Sequence, residues 1–182
     1  QGFKGIKETT EWIFRSANLF DLGIDSKGIR RFSTQEMVEM EKAIAEQVKK
    51  LRNHGHHRIS ENLVEKHLRK HPYLKSEQVQ AIRHATLSKD GVCFIEGDAG
   101  TGKSTLLKVV HEIFCESGYA TRGICFTNKA AIGLQDATGI HCTSIDSLLF
   151  SLQSNPDTLD SKSILILDEA GMIDSRKMKH VL

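Results

Sequence analysis

The chain has 182 residues, 39% of them apolar and 26% charged, with a formal net charge of +2. That balance belongs to a globular protein rather than a disordered one, and the length allows one domain plus a small appendage. No stretch approaches 18 consecutive apolar residues, which excludes a spanning helix. The opening QGFKGIKETTEWIFR is too mixed for a signal peptide. The expected setting is cytoplasmic, with a start at Gln1 that lies inside a longer chain.

The charge is unevenly spread. Residues 1–90 carry 17 Lys and Arg against 12 Asp and Glu, whereas residues 91–182 carry 8 against 11. The basic half suits either an anionic partner or a solvated helical surface. Cys93, Cys115, Cys125 and Cys142 include no C-x-x-C pair, so buried reduced thiols are expected rather than structural zinc or disulfides.

In chain order, the front reads as helices. Thr9 or Thr10 can cap a run from Glu11 to Phe20 with Trp12, Ile13, Phe14 and Leu19 as anchors, broken by Gly23. Ser33-Thr34-Gln35-Glu36 has capping-box spacing, and Met37, Met40, Ile44, Val48 and Leu51 follow on one helical face, ending at Gly55. A third helix is expected from Ser60 to His71, stopped by Pro72. A fourth begins at Ser76, with Val79, Ile82 and Leu87 inward.

From residue 91 the pattern changes. Val92–Ile95, Ile124–Phe126 and Ile164–Leu167 read as short buried strands. Helices are expected over Lys103–Glu116 (closed by Gly118), Lys129–Ala137 (closed by Gly139) and from a Ser144 cap to Leu152, with a turn at Ser154–Asp157. Strands alternating with helices argue for an α/β fold with a parallel sheet, preceded by a small all-α segment. The natural cut gives residues 1–73 as a helical linker and 74–182 as the α/β part.

Gly97-Asp98-Ala99-Gly100-Thr101-Gly102-Lys103-Ser104 matches G-x-x-x-x-G-K-[ST]. Glycines let such a loop curl so that backbone N–H groups face phosphate oxygens, and the following helix aims its positive end at the same anion. Lys103 is the expected contact to the outer phosphates of ATP, and the Ser104 hydroxyl an Mg²⁺ ligand. Downstream, the strand Ile164–Leu167 runs into Asp168-Glu169. Asp168 is the expected second holder of Mg²⁺, and Glu169 the general base for the attacking water.

Further segments carry a family resemblance. Leu74-Lys75-Ser76-Glu77-Gln78-Val79-Gln80-Ala81-Ile82 resembles the segment ahead of the first strand in RecD-like superfamily 1 DNA helicases. Thr127-Asn128-Lys129-Ala130-Ala131 is similar to their motif Ia, and Gly139 through Leu149 resembles the stretch that follows it. The front, with FSTQEMVEMEKAI, looks like the linker ahead of the helicase in TraA-type conjugative transfer relaxases. The resemblance extends over residues 8–182.

It implies the first part of a RecA-like P-loop NTPase domain, of the AAA type, with ATP and Mg²⁺ as cofactors. Gln78 would recognise adenine. Gly97, Asp98, Ala99, Gly100, Thr101, Gly102, Lys103, Ser104 and Thr105 would form the nucleotide loop. Thr127, Asn128 and Thr143 would line the path of single-stranded DNA. The implied activity is ATP-driven movement on DNA during conjugation. The family's later sensor motif, second motor domain and arginine finger are not within these residues, so this piece alone is expected to hydrolyse ATP slowly or not at all. Two alternatives stand beside this: a RecD-type repair helicase fragment, and a non-catalytic nucleotide-binding remnant.

Nine histidines are many for this length, and five fall between His54 and His71. His67 and His71 have metal-ligand spacing, but no cysteine or H-E-x-x-H carboxylate accompanies them. With Lys66, Arg69 and Lys70 interleaved with the histidines, a solvated basic face is the expectation, and contact with a DNA backbone and a metal site are the lesser alternatives. Trp12, Phe14 and Phe20 could stack on bases, but at helical spacing they are expected in the core.

Overall fold

A computed structural model of the chain describes residues 8, 11–12, 19–52, 54, 57–98, 100–155 and 158–182. The expected roles of Thr9, Thr10, Ile13, Phe14, Gly55, Ala99, Pro156 and Asp157 lie outside the described residues.

The front of the chain is not wholly helical. Glu11 and Trp12 are helical, but Leu19 and Phe20 open a strand. Strand β1 (Leu19–Ile24) pairs antiparallel with β2 (Arg30–Thr34). Their turn is built by Asp25, whose Oδ1 accepts the amides of Lys27 and Ile29, each at 2.9 Å, and by Gly28 at φ +77°. An aspartate that closes its own turn is the local alternative to helix. Gly23, read as a helix breaker, instead has φ +83° beside the register shift between Asp21 and Gly23. Trp12 is 68% exposed and Phe20 41%, so neither is a core residue here.

Helix α1 (Gln35–Leu51) starts one residue later than the capping-box reading places it. Ser33 is still in β2, and the Thr34 hydroxyl accepts the Met37 amide at 3.2 Å. The expected apolar face is half-buried, and the helix's deepest residue is Val38, which that face did not include. Helices α2 (Glu61–Lys70, capped by Ser60) and α3 (Ser76–Leu87) follow the apolar spacing closely. Next come α4 (Lys103–Glu116), β3 (Ala120–Cys125), α5 (Asn128–Thr138), β4 (His141–Ser144), α6 (Ile145–Ser154) and β5 (Ser163–Leu167). A short 3₁₀ turn (Ala170–Met172) and α7 (Ser175–Val181) complete the order.

Strands β4, β3 and β5 form a parallel sheet in that order. Ile124 on β3 stands abreast of Thr143 on β4 and Leu167 on β5. Two expectations change here. Val92–Ile95 joins no ladder, although β4 and β5 each have an outer edge. Its apolar character goes into packing instead, with Ile95 against the core of α3 and α4. The short β4 went unread because its His-Cys-Thr-Ser sequence has no apolar run.

The main core holds Val64, Ile82, Leu106, Val109, Val110, Ile113 and Phe114, and Ile59, Leu68, Tyr119 and Ile164 pack onto it. Each such side chain contributes roughly 1.5–3 kcal/mol by leaving water. Val64 and Leu68 belong to α2, so the linker helix and α4 are built into one core. A second cluster (Ile124, Ile145, Leu148, Ile173) seals the other face of the sheet under α6 and α7. Helix α1 is tied in at both ends: the Gly91 amide donates to the Leu51 carbonyl at 2.7 Å, and Arg176 on α7 meets Glu36 at 3.1 Å.

Candidate functional site

Parallel strands deliver their loops to one edge, and the candidate residues collect there. Leu107, one turn into α4, packs against the cluster of Cys125, Ala131 and Leu134 at the end of β3, while His111, a turn farther on, bonds Thr121 near the start of β3. The N-terminus of α4 therefore lies at the carboxyl edge of the sheet, where ligands bind in open α/β folds. Leu167 runs out at the same edge into Asp168-Glu169.

Local bonds fix the loop ahead of α4. The Thr101 hydroxyl donates to the Asp98 carbonyl at 2.8 Å. Gly100 (φ +77°) and Gly102 (φ +82°) occupy the left-handed region that glycine enters freely. A Cβ at Gly102 would also stand 2.5 Å from Gln78 Nε2, so a side chain there would displace the Gln78 amide. The Lys103 ammonium folds back and donates to the carbonyls of Gly97 at 2.6 Å and Asp98 at 2.9 Å. Ser104 is exposed beside it and Thr105 half-buried.

Gln78, read as an adenine contact, spends its amide on the loop. Its Nε2 donates to the carbonyls of Thr101 (3.1 Å) and Gly102 (3.2 Å), and its Oε1 accepts the Lys75 amide at 2.9 Å. It thereby braces the loop against the start of α3. This bracing had no sequence signal, because the two segments lie over twenty residues apart.

The acid pair is held by the sheet. The Asp168 amide donates to the Ile124 carbonyl at 2.9 Å, which extends β5 along β3. The Glu169 amide donates to Asp168 Oδ1 at 3.0 Å. Glu169 has φ +52° and ψ +44°, and among the described residues no other non-glycine has positive φ. Strained backbone of this kind concentrates at functional sites. Cys125 lies within electrostatic reach. Burial first, then the negative charges of Asp168, Cys142 and Glu169, push its thiol up to about 11.

The remaining candidates sit along this edge. Thr127 caps α5, its hydroxyl accepting the Ala130 amide at 3.1 Å, and it is exposed together with Asn128. Thr143 is half-buried on β4. Among the thiols, all free, Cys125 is buried as expected, Cys93 and Cys142 are half-buried, and Cys115 is exposed on α4. Among the described residues, no helix is long and apolar enough to cross a membrane.

Comparison with known proteins places this geometry. The family described as AAA domain matches residues 73–182. The conjugal transfer protein TraA of Rhizobium radiobacter is 33% identical over 158 residues, covering 87% of this chain and 14% of that protein. A probable conjugal transfer protein TraA of Sinorhizobium fredii is 31% identical over 154 residues, covering 83% of this chain and 14% of that protein. A TraA of Agrobacterium fabrum is 30% identical over 148 residues, covering 81% of this chain and 13% of that protein. The chain thus spans about one-seventh of the length of these relatives. With a glycine loop opening α4, an acid pair ending β5, and these matches over both the linker and the sheet, the chain belongs to the AAA-domain family, in its TraA-type branch.

Proposed function

We propose that the chain is the ATP-binding part of a DNA-translocating motor used in conjugal transfer. The observation that carries this reading is the Lys103 ammonium, drawn back onto two carbonyls of its own glycine loop at 2.6 and 2.9 Å. A cation held so weakly by neutral acceptors is ready to exchange them for phosphate oxygens, which bind it as charged partners. The exposed start of α4 supplies the backbone N–H groups that complete an anion site.

The donor set fits magnesium. The Ser104 hydroxyl and the Asp168 carboxylate are hard oxygen ligands, and Mg²⁺ takes few protein oxygens beside those of the nucleotide. When bound, the ion neutralises charge on the phosphates. Lys103 would hold the outer phosphates in place, and Glu169 would orient a water and take its proton as the water oxygen bonds to the γ-phosphorus and the bond from that phosphorus to the bridging oxygen breaks, with ADP leaving. Thr127, Asn128 and Thr143, at the same sheet edge, are the proposed contacts for single-stranded DNA.

A second motor domain would supply the opposite wall of the nucleotide site, and with it the charges that this half lacks. Phosphate release from ATP, with and without single-stranded DNA, tests this division. The 182-residue chain is expected to turn over slowly, with no large DNA stimulation. Robust DNA-stimulated turnover by these residues alone would contradict it.

A further inference from the structure

His67 and His71, read as part of a solvated basic face, turn away from it, while Lys66, Arg69 and Lys70 are exposed. His67 is 4% exposed, and it faces two carboxylates on α4. His67 Nε2 lies 2.8 Å from Glu116 Oε2, and His67 Nδ1 lies 3.6 Å from Glu112 Oε2. His71, just past the end of α2, places its Nε2 2.9 Å from the same Glu112 oxygen. One donor atom from each of His67, His71 and Glu112 lies within 4.8 Å of the others. The buried His67 Nδ1 has no hydrogen-bond partner, and it points at this group.

We propose that His67 Nδ1, His71 Nε2 and Glu112 Oε2 form a binding site for a divalent transition metal of the zinc class. Ligand atoms about 2.0–2.2 Å from a tetrahedral ion stand about 3.3 Å apart. The separations of 2.9 and 3.6 Å bracket that figure, so small rotations complete the site. Two imidazoles and one carboxylate favour zinc, cobalt or nickel over magnesium.

The outer contacts argue further. A ligating histidine needs its second nitrogen held by another group. Glu116 holds His67 Nε2, and the Tyr73 hydroxyl holds His71 Nδ1 at 2.8 Å. Lys66 at 2.5 Å balances the charge of Glu116. Each ring thus turns its other nitrogen towards Glu112, His71 Nε2 within hydrogen-bond distance and His67 Nδ1 at 3.6 Å. The metal would join α2 to α4, the helix that opens at the phosphate loop. The site stands independently of the proposed motor function.

The test uses the untagged 182-residue chain, stripped with chelator and titrated with Co²⁺ and Zn²⁺. Co²⁺ should develop visible d–d absorption at one equivalent. Zn²⁺ at about a hundredfold excess over its dissociation constant should raise Tm by about 5–10 °C, where Mg²⁺ does not. His71→Ala and Glu112→Gln should each weaken binding more than tenfold, and Glu116→Gln, which only positions His67, by about 10–100-fold. On the unsubstituted chain, imidazole NMR signals of His67 and His71 should shift together with added Zn²⁺, a readout that no folding defect can mimic. No absorption and no shift at those two rings would overturn the proposal. So would wild-type affinity in both His71→Ala and Glu112→Gln, or an equal Tm rise with Mg²⁺.

Discussion

Replacing Glu169 with glycine should stabilise the protein while removing its proposed base. Glu169 sits at φ +52° and ψ +44°, a conformation that costs a side-chain-bearing residue roughly 1–2 kcal/mol and glycine almost nothing. Glycine returns about 0.5–1 kcal/mol of that through its larger unfolded-state entropy. The hydrogen bond from the residue 169 amide to Asp168 Oδ1, at 3.0 Å, uses backbone and survives. The net gain is about 0.5–1 kcal/mol, a rise in Tm of about 1–4 °C for a chain of this size. Glu169→Ala, which loses the same carboxylate but keeps the Cβ, is the control and should melt below Glu169→Gly. Differential scanning calorimetry on the three proteins measures the order. If Glu169→Gly is no more stable than Glu169→Ala, the backbone holds no strain there, and strain does not mark Glu169 as a functional residue. Stability gained where a catalytic group is lost is the pattern expected of a strained active-site residue.

Other outcomes follow from close contacts. Gly123→Ala would place a Cβ 2.2 Å from Cys142 Sγ and 3.4 Å from Leu134. It should cost about 1–3 kcal/mol, and Cys142→Ala in the same chain should recover part of that; strict additivity of the two losses in chemical denaturation would refute the clash. Gly102→Ala meets both positive φ and Gln78, whereas Gly100→Ala meets positive φ in open space. A nucleotide titration should therefore find Gly102→Ala at least tenfold weaker, and weaker than Gly100→Ala; the reverse order would remove the role given to Gln78. With its thiol pushed up to about 11, Cys125 should be about one part in a thousand thiolate at pH 8. Exposed Cys115 should consume a thiol reagent first, and Cys125 should accelerate about tenfold per pH unit towards pH 11. Early labelling of Cys125 in a mass-spectrometric time course would contradict the burial.

What the sequence revealed divides along local and distant causes. The glycine loop ahead of α4 and the acid pair at the end of β5 stand where the sequence placed them, because each is written in contiguous residues. Helices α2 and α3 were legible because Ser60 and Pro72, or Ser76 and the spacing of Val79, Ile82 and Leu87, act within a few residues. The β1–β2 hairpin was not, because its register depends on Asp25 closing a turn in a segment with polar residues on both faces. Val92–Ile95 misled because an apolar run is a strand only when a neighbour accepts its hydrogen bonds. His67 misled most. Its neighbours in sequence are Lys66, Arg69 and Lys70, but its neighbours in space are Glu112 and Glu116, more than forty residues on. The matched i, i+4 spacing of those two pairs was the available signal.

The central claim is that the loop from Gly97 to Ser104 binds nucleotide through Lys103. Isothermal titration of the chain with ATP and Mg²⁺ measures it directly, beside Lys103→Ala and Glu169→Gln. The account predicts saturable binding by the unsubstituted chain, a loss of at least tenfold in Lys103→Ala, and little change in Glu169→Gln, since a general base acts after binding. No heat of binding at millimolar nucleotide, or equal affinity in Lys103→Ala, would contradict it.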